Sequence, residues 1–171
     1  MVPRRFRRIY LMNITIKNVS YNARLSEETS CFTATVCVDG KKVGEASNRG
    51  CGGSTSIVPY ALDLQIGAYA KTLPATKYEG MILDETSDSV IDGLLNEFLL
   101  RRDMVNAMRK KLVFTKSDKP GIYTTKPLTP EKLKAYISNP ATPASFKVKS
   151  ILNALPESEA FAIYKANIGA T

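Results

Sequence analysis

The sequence contains no histidine and no tryptophan in its 171 residues. Without imidazole the chain has no Ser-His-Asp triad, no Cys-His pair, no histidine general base and no histidine ligand for zinc. An enzyme made from this chain has to rely on carboxylates, Lys, Tyr, Cys or backbone groups. We therefore expect a protein that is not an enzyme, with no catalytic residue, no metal site and no cofactor.

Long apolar runs and a regular set of cysteines are missing as well. No run approaches the ~20 apolar residues that span a bilayer, and the basic start MVPRRFRRIYLMN continues into too short an apolar stretch for a signal peptide. Three cysteines, an odd number, fit a reducing compartment better than a disulfide framework. We expect a cytoplasmic protein that makes no contact with a membrane.

The N-terminal part has the patterns of three antiparallel strands followed by a helix. Residues 9–19 are rich in β-branched side chains, and residues 31–47 alternate around an Asp39-Gly40 pair that fits a two-residue hairpin turn. Residues 54–56 are candidate N-caps for the helix. Its apolar side chains cover most of its sides, which predicts burial against the sheet. They are Val58, Leu62, Ile66, Tyr69 and Leu73.

The second half predicts a long amphipathic helix and several short elements. Residues 87–112 have an apolar stripe, with Ser87 or Asp88 as the N-cap, acids in the first turns and bases in the last. The later elements are short strands at 112–116 and 121–125, a short strand at 151–153, and helices that start near residues 129, 142 and 156.

These elements predict an α+β fold. It consists of an N-terminal antiparallel three-stranded sheet packed on a buried helix, followed by the long amphipathic helix, a short hairpin and terminal helices. Residues 12–171 are expected to form a single α+β domain.

A glycine-rich segment is a candidate anion-binding loop. Glycines let backbone N–H groups approach a ligand, and a helix start is predicted directly after the segment. The segment matches no nucleotide-binding motif, and a strand-to-helix turn with positive φ is the other interpretation. Cys51 is the candidate nucleophile if the chain is a weak enzyme. The loop consists of Asn48, Arg49, Gly50, Cys51, Gly52, Gly53 and Ser54.

Charge is distributed unevenly along the chain. Between Glu79 and Glu97 there are six acids and no base, whereas Arg101 to Lys149 contains twelve bases and three acids. Such a basic region predicts an anionic partner such as nucleic acid, although bases at a helix end also complement the helix dipole. No known nucleic-acid-binding motif accompanies the charge, so sequence-specific readout is not expected. The candidate binding residues are Arg101, Arg102, Arg109, Lys110, Lys111, Lys116 and Lys119.

Three stretches resemble small uncharacterised proteins carried by bacteriophages and plasmids. They are ITIKNVSYNARLSEETSCFTATVCVDGKKVGEASNRGCGG, KPGIYTTKPLTPEKL and ILNALPESEAFAIYK. Members of this group begin near the equivalent of Met12, so the resemblance implies that residues 1–11 are an N-terminal extension. Without the four arginines of that segment, the net charge falls from +8 to +4.

The resemblance implies a role in a bacterial host cell. Small accessory proteins of mobile elements commonly inhibit host defence systems or bind nucleic acid, and they act mainly by binding. We therefore expect an accessory binding protein that inhibits a host defence complex through its basic surface. Its partner would be a host protein or a protein–nucleic-acid complex, with possible direct contact to nucleic acid. The alternative is a protein that binds or sequesters a nucleotide or another small anion, or a weak enzyme, centred on residues 48–54.

Overall fold

The chain divides between Glu97 and Phe98 into two compact units, an N-terminal and a C-terminal unit. The computed structural model describes residues 12–78, 80–139 and 146–169. The predicted extension, residues 1–11, and the predicted helix start at residue 142 lie outside the described residues. That residues 12–171 form a single domain stays a prediction. None of the helices in the described ranges is long and apolar enough to cross a membrane.

The N-terminal unit contains an antiparallel sheet of four strands in the order β1-β2-β3-β4. They are β1 (Ile14–Tyr21), β2 (Phe32–Val38), β3 (Lys41–Asn48) and β4 (Ser56–Val58). The prediction of three strands was wrong because it missed β4, which pairs with residues 45–47 of β3. Residues 54–56 therefore do not cap a helix. The β-branched Ile57 and Val58 instead extend the open edge of β3.

The β2–β3 hairpin has the predicted alternation as far as Val36, where a register shift buries Cys37 and leaves Val38 half-buried. Asp39 and Gly40 connect the strands with φ values of 51° and 79°, the pair of positive angles that a type I′ turn requires. Phe32, Ala34 and Val36 lie on one face of β2, and all three are buried. This face supplies a large part of the apolar core of the unit.

Helix α1 (Tyr60–Ala70) is buried on one face only. Leu62 and Ile66 are buried, whereas Tyr60 is 70% and Leu64 is 56% exposed. The predicted burial against the sheet is therefore made by one face, where Leu62 lies beside Gly44 of β3. A helix that is apolar all round still buries only the side that has a neighbour, and the opposite side of α1 remains an exposed apolar stripe.

The N-cap of the long helix lies one residue earlier in the chain than the sequence predicts. The chain continues after α1 with β5 (Thr76–Tyr78), β6 (Met81–Leu83) and α2 (Ser87–Met108). The N-cap of α2 is Thr86 and not Ser87 or Asp88. The Thr86 hydroxyl accepts a hydrogen bond from the Ser89 amide at 3.2 Å, and the Ser89 hydroxyl accepts one from the Thr86 amide at 2.8 Å. These reciprocal bonds satisfy two N–H groups at the start of the helix.

The C-terminal unit contains an antiparallel sheet of three strands in the order β8-β7-β9. Its elements are β7 (Val113–Lys116), β8 (Tyr123–Thr124), α3 (Pro130–Ser138), β9 (Val148–Ile151) and α4 (Glu157–Asn167). The predicted hairpin is β7–β8, and β9 joins the other side of β7 three residues earlier than predicted. Alternate residues of β7 face two cores, because Val113 packs with Met104 and Phe161 whereas Phe114 packs with Leu133.

One amide side chain joins the end of α2 to β7. Asn153 accepts a hydrogen bond from the Val113 amide at 2.8 Å, and its NH₂ group donates to the carbonyls of Met108 and Lys111 at 2.9 and 3.0 Å. The carbonyls at the end of a helix have no partner within the helix, so Asn153 acts as their cap.

Candidate functional site

The net charge of the chain comes from the C-terminal unit, because the N-terminal unit, residues 1–97, contains eleven Lys and Arg and eleven Asp and Glu. Residues 98–171 contain thirteen Lys and Arg and five Asp and Glu, which gives a net charge of +8. Residues 12–97 contain seven Lys and Arg and eleven Asp and Glu, which gives −4. A surface that attracts an anionic partner is therefore to be sought on the C-terminal unit.

A groove of about 650 Å³ lies on the C-terminal unit, between the end of β7, the turn that follows it, β9 and α4. Lys116 at the end of β7, Lys119 in the turn and Lys149 in β9 line it, and we call it the lysine groove. Its volume lies within the ~300–1,000 Å³ that small-ligand sites occupy. The polar residues Thr115, Ser117, Ser150 and Asn167 also line it.

The cations of the lysine groove have different surroundings. The Lys116 ammonium lies 4.4 Å from the centroid of the Tyr123 ring, which holds it by a cation–π contact. Lys119 and Lys149 are exposed, and within the described part of the chain neither forms an ion pair. These two ammonium groups are therefore available to an anion.

Asp118 is the one acid among the described residues that lines the groove, and a fourth lysine balances its charge. Asp118 Oδ2 lies 3.0 Å from the ammonium of Lys147. The hydrogen bond from Lys147 lowers the pKa of Asp118, so the carboxylate stays ionised. Because the pair is exposed to water, it contributes little to stability, but its net charge is zero. The groove as a whole stays positive.

The turn that carries Lys119 is fixed by several hydrogen bonds. The amide and the hydroxyl of Ser117 both donate to the Lys147 carbonyl, at 2.9 and 3.2 Å. The Tyr123 hydroxyl donates to the Pro120 carbonyl at 3.1 Å. Gly121 continues the turn with φ of 118°, a conformation that favours glycine. The wall of the groove is therefore preformed.

A β-bulge places Lys149 at the groove. Thr115 pairs with Ser150 and Lys116 pairs with Val148, so Lys149 is an extra residue on β9. Such a bulge bends the strand and changes the direction of a side chain. Lys149 is not among the predicted binding residues, because the strand was predicted three residues later in the chain. The run Val148-Lys149-Ser150-Ile151 was the signal that could have found it.

Two of the seven predicted basic residues line the lysine groove, and a third packs against α4. Among them, Lys116 and Lys119 line the lysine groove. Arg101 lies instead against α4, with Nη1 3.2 Å from Glu157 Oε1 and its guanidinium carbon 4.0 Å from the Phe161 ring centroid.

The remaining four predicted bases belong to α2 and its C-terminal end. Arg102 lies 3.4 Å from Asp103 across an exposed ion pair. Arg109, Lys110 and Lys111 follow the last turn of α2, where positive charges complement the helix dipole. They do not line the lysine groove.

The glycine-rich loop is organised by Asn48. Its carbonyl oxygen accepts hydrogen bonds from the Thr29 hydroxyl at 2.8 Å and the Gly50 amide at 2.9 Å. Its NH₂ group donates to the Gly53 carbonyl at 3.1 Å and the Thr55 hydroxyl at 3.3 Å. The side chain of Asn48 is thus occupied within the loop.

Gly50 is the buried centre of this loop. Its carbonyl accepts hydrogen bonds from the amides of Glu27, Glu28 and Thr29, at 2.9, 3.0 and 3.3 Å. Gly50, Gly52 and Gly53 all have positive φ, at 87°, 78° and 105°. Close packing and turn geometry therefore account for the glycines.

The glycine-rich loop is not followed by the helix N-terminus on which the anion-binding prediction depends. Ser54 and the residues after it lead into strand β4, so no helix N-terminus faces the loop. A Cβ atom at Gly52 would meet the carboxylate of Glu28, which is a repulsive neighbour for an anion. Arg49 and Cys51 are exposed, and the Cys51 thiol donates to the Arg49 carbonyl at 3.7 Å.

A half-buried carboxylate in the N-terminal unit was not singled out from the sequence. Asp92 Oδ1 accepts a hydrogen bond from the Thr55 hydroxyl at 2.8 Å. Burial raises the pKa of Asp92, and this outweighs the lowering effect of the Thr55 hydrogen bond. Within the described ranges no group of three or more His, Cys, Asp or Glu side chains could hold a metal ion.

No family model, no curated protein sequence and no solved structure matches this chain.

Proposed function

We propose that this protein is an accessory binding protein, not an enzyme, that attaches to the nucleic-acid part of a host defence complex through the lysine groove. The observation that carries the proposal is the convergence of Lys116, Lys119 and Lys149 on one preformed groove. Two segments that lie about 30 residues apart in the chain, 115–120 and 149–150, supply these lysines, in a unit whose net charge is +8.

Phosphates are the anions that such a groove fits best. Lysine ammonium groups bind phosphate oxygens as compact charges, and each neutralised phosphate releases counterions from the nucleic acid. This attraction does not depend on base sequence, which agrees with the missing readout motifs. The binding should therefore be strong at low salt and fall steeply as salt rises.

The resemblance to phage and plasmid proteins supports a host complex as the partner. Accessory proteins of this kind work mainly by docking on host machinery, and a complex that already holds nucleic acid offers exposed phosphates. The resemblance assigns no role to individual residues, so the groove has to be tested directly.

The alternative centred on residues 48–54 has less support. The polar groups of Asn48 bond within the loop, Gly50 is buried, and a strand follows where a helix was predicted. An anion there would find Arg49 but also the carboxylate of Glu28.

The test compares two triple variants that change the net charge equally. One carries K116S, K119S and K149S in the groove, and the other carries K17S, K41S and K71S at exposed positions of the N-terminal unit. The tagged proteins are used to capture complexes from plasmid-bearing host cells, with and without nuclease. Anisotropy with a labelled strand of about 20 nucleotides gives the affinity and its salt dependence.

We expect the groove variant to lose about tenfold or more of its affinity, and its salt slope to fall by about two. The control variant should change by less than about twofold, because its lysines lie outside the groove. Equal losses in the two variants would show that only total charge matters. Capture that neither nuclease nor the groove substitutions reduce would place the partner contact elsewhere and refute the proposal.

A further inference from the structure

The lysine groove has an apolar floor in addition to its cations. Ala162 and Ala166 lie one turn apart on α4, and both are exposed at the groove together with Pro120. Ile163 lies beside them and is half-buried. Small apolar side chains at these positions leave a smooth apolar surface, and its exposure to water is unfavourable in free energy.

A ligand that contacts both the lysines and the apolar floor needs an anionic end and a flat or apolar body. Lys119 and Lys149 provide the cations at one side, and Ala162 and Ala166 provide the floor. Inorganic phosphate would leave the floor uncovered, and a purely apolar molecule would leave the ammonium groups without a counterion. A nucleotide has both parts, because its base and sugar can lie on an apolar surface while its phosphate meets lysine.

The shape of the site argues against a duplex as the ligand. In a duplex the bases are stacked and paired inside, and the surface offers phosphates on two ridges. A duplex could meet Lys119 and Lys149 with its backbone but could not lay a base on the floor between β9 and α4. An unpaired nucleotide can do so, since its base is free to leave the stack.

We propose that the lysine groove receives one nucleoside phosphate unit, with the phosphate between Lys119 and Lys149 and the base or sugar on Ala162 and Ala166. This inference rests on the proposed function, since it specifies what part of the nucleic acid the groove holds. The unit is either a free nucleotide or an unpaired nucleotide within a strand. The Ser150 hydroxyl lines the same groove and can donate to the phosphate, whereas the Ser117 hydroxyl, whose proton bonds to the Lys147 carbonyl, can accept a hydrogen bond from the sugar.

The experiment places larger side chains on the apolar floor of the groove without changing the net charge. The double variant A162Q/A166Q places two longer neutral side chains in the groove, and glutamine is a good helix former, so α4 should persist. The matched control is A135Q/A154Q, with two exposed alanines of the same unit that do not line the groove. Circular dichroism and urea unfolding check that all variants fold.

The probes are a labelled oligothymidylate, a duplex of the same length, adenosine monophosphate, adenosine and inorganic phosphate. We expect the single strand to bind at least about tenfold more tightly than the duplex at the same salt concentration. A162Q/A166Q should weaken this binding about fivefold or more and leave the salt slope unchanged, because no cation is removed. Adenosine monophosphate should compete, whereas adenosine and inorganic phosphate at the same concentration should not.

The outcomes separate this inference from the proposed function. If K119S/K149S weakens binding but A162Q/A166Q does not, or if duplex and single strand bind equally, the floor takes no nucleotide and the inference is wrong while the proposed function stands. If neither variant changes binding, both are wrong. Calorimetry with adenosine monophosphate alone distinguishes a free nucleotide from an unpaired nucleotide within a strand. Direct binding as tight as that of the strand indicates that the ligand is a free nucleotide.

Discussion

Replacing Gly50 with alanine should destabilise the N-terminal unit severely. Gly50 is buried with φ of 87°, and a Cβ atom built on it would meet the Leu25 carbonyl oxygen and would lie 2.8 Å from Cys31 Cβ. Both neighbours are fixed. The Leu25 oxygen belongs to the backbone, and Cys31 begins the segment that enters β2. The clash therefore has to be relieved by moving the chain around residues 25–31.

The expected loss follows from the contacts that this movement breaks. An alanine at positive φ costs about 1–2 kcal/mol in backbone strain. The Gly50 carbonyl accepts three amide hydrogen bonds, from residues 27–29, and each contributes about 1 kcal/mol. We expect Gly50→Ala to lower the free energy of unfolding by about 3–5 kcal/mol, a large share of the ~5–15 kcal/mol that stabilises a typical domain.

Gly53→Ala is the matched control for this measurement. Gly53 belongs to the same loop and has φ of 105°, but no atom lies within 4 Å of a Cβ built there. It should lose only the backbone term of about 1–2 kcal/mol. Urea unfolding followed by circular dichroism gives both values. Equal losses would refute the argument, because they would show that close packing at Gly50 contributes nothing.

Three further measurements test the packing and the electrostatics of the fold. Ile66→Ala should lower the free energy of unfolding by about 2–5 kcal/mol, because it leaves a cavity in the core. Leu64→Ala, on the exposed side of α1, should lower it by less than about 0.5 kcal/mol. Equal losses in urea unfolding would contradict the burial of α1 on one face. The pKa of Asp92 is raised in the folded state, so its ionisation lowers stability as pH rises from 3.8 through the raised value. Asp92→Asn keeps an acceptor for Thr55, and its stability relative to the wild type should increase over that pH range; a constant difference would exclude the linkage. Asn153→Ala removes three hydrogen bonds and should lower the free energy of unfolding by about 2–3 kcal/mol, and a loss below about 0.5 would show that water replaces them.

The parts of the fold that were correctly predicted depend on neighbours in the sequence. The Asp39-Gly40 turn fixes two strands that are adjacent in the chain, and the 22 residues of α2 repeat one helical pattern. Thr129 caps α3 ahead of Pro130, as that Thr-Pro pair predicts. Each of these signals lies within a few residues, where propensity and periodicity are most informative.

The parts that were missed depend on distant neighbours. Strand β4 has three residues, and only the open edge of β3 makes Ile57 and Val58 a strand instead of the first turn of a helix. Strand β9 pairs with β7 across more than 30 residues of chain. Short segments of this kind have too few residues to show a period of their own, so tertiary contacts decide their structure.

The charge of a residue does not show whether its side chain can meet a ligand. Arg101 and Lys119 were equally plausible phosphate contacts in the sequence, yet Arg101 packs on Phe161 and bonds to Glu157 while Lys119 faces a groove. Lys149 was not selected, although the bulge in β9 brings it to the same place. What makes these lysines a candidate site is that strand pairing brings together residues that lie far apart in the chain. The net charge of the C-terminal unit then explains why an anion would approach it, and the groove explains where that anion would be held.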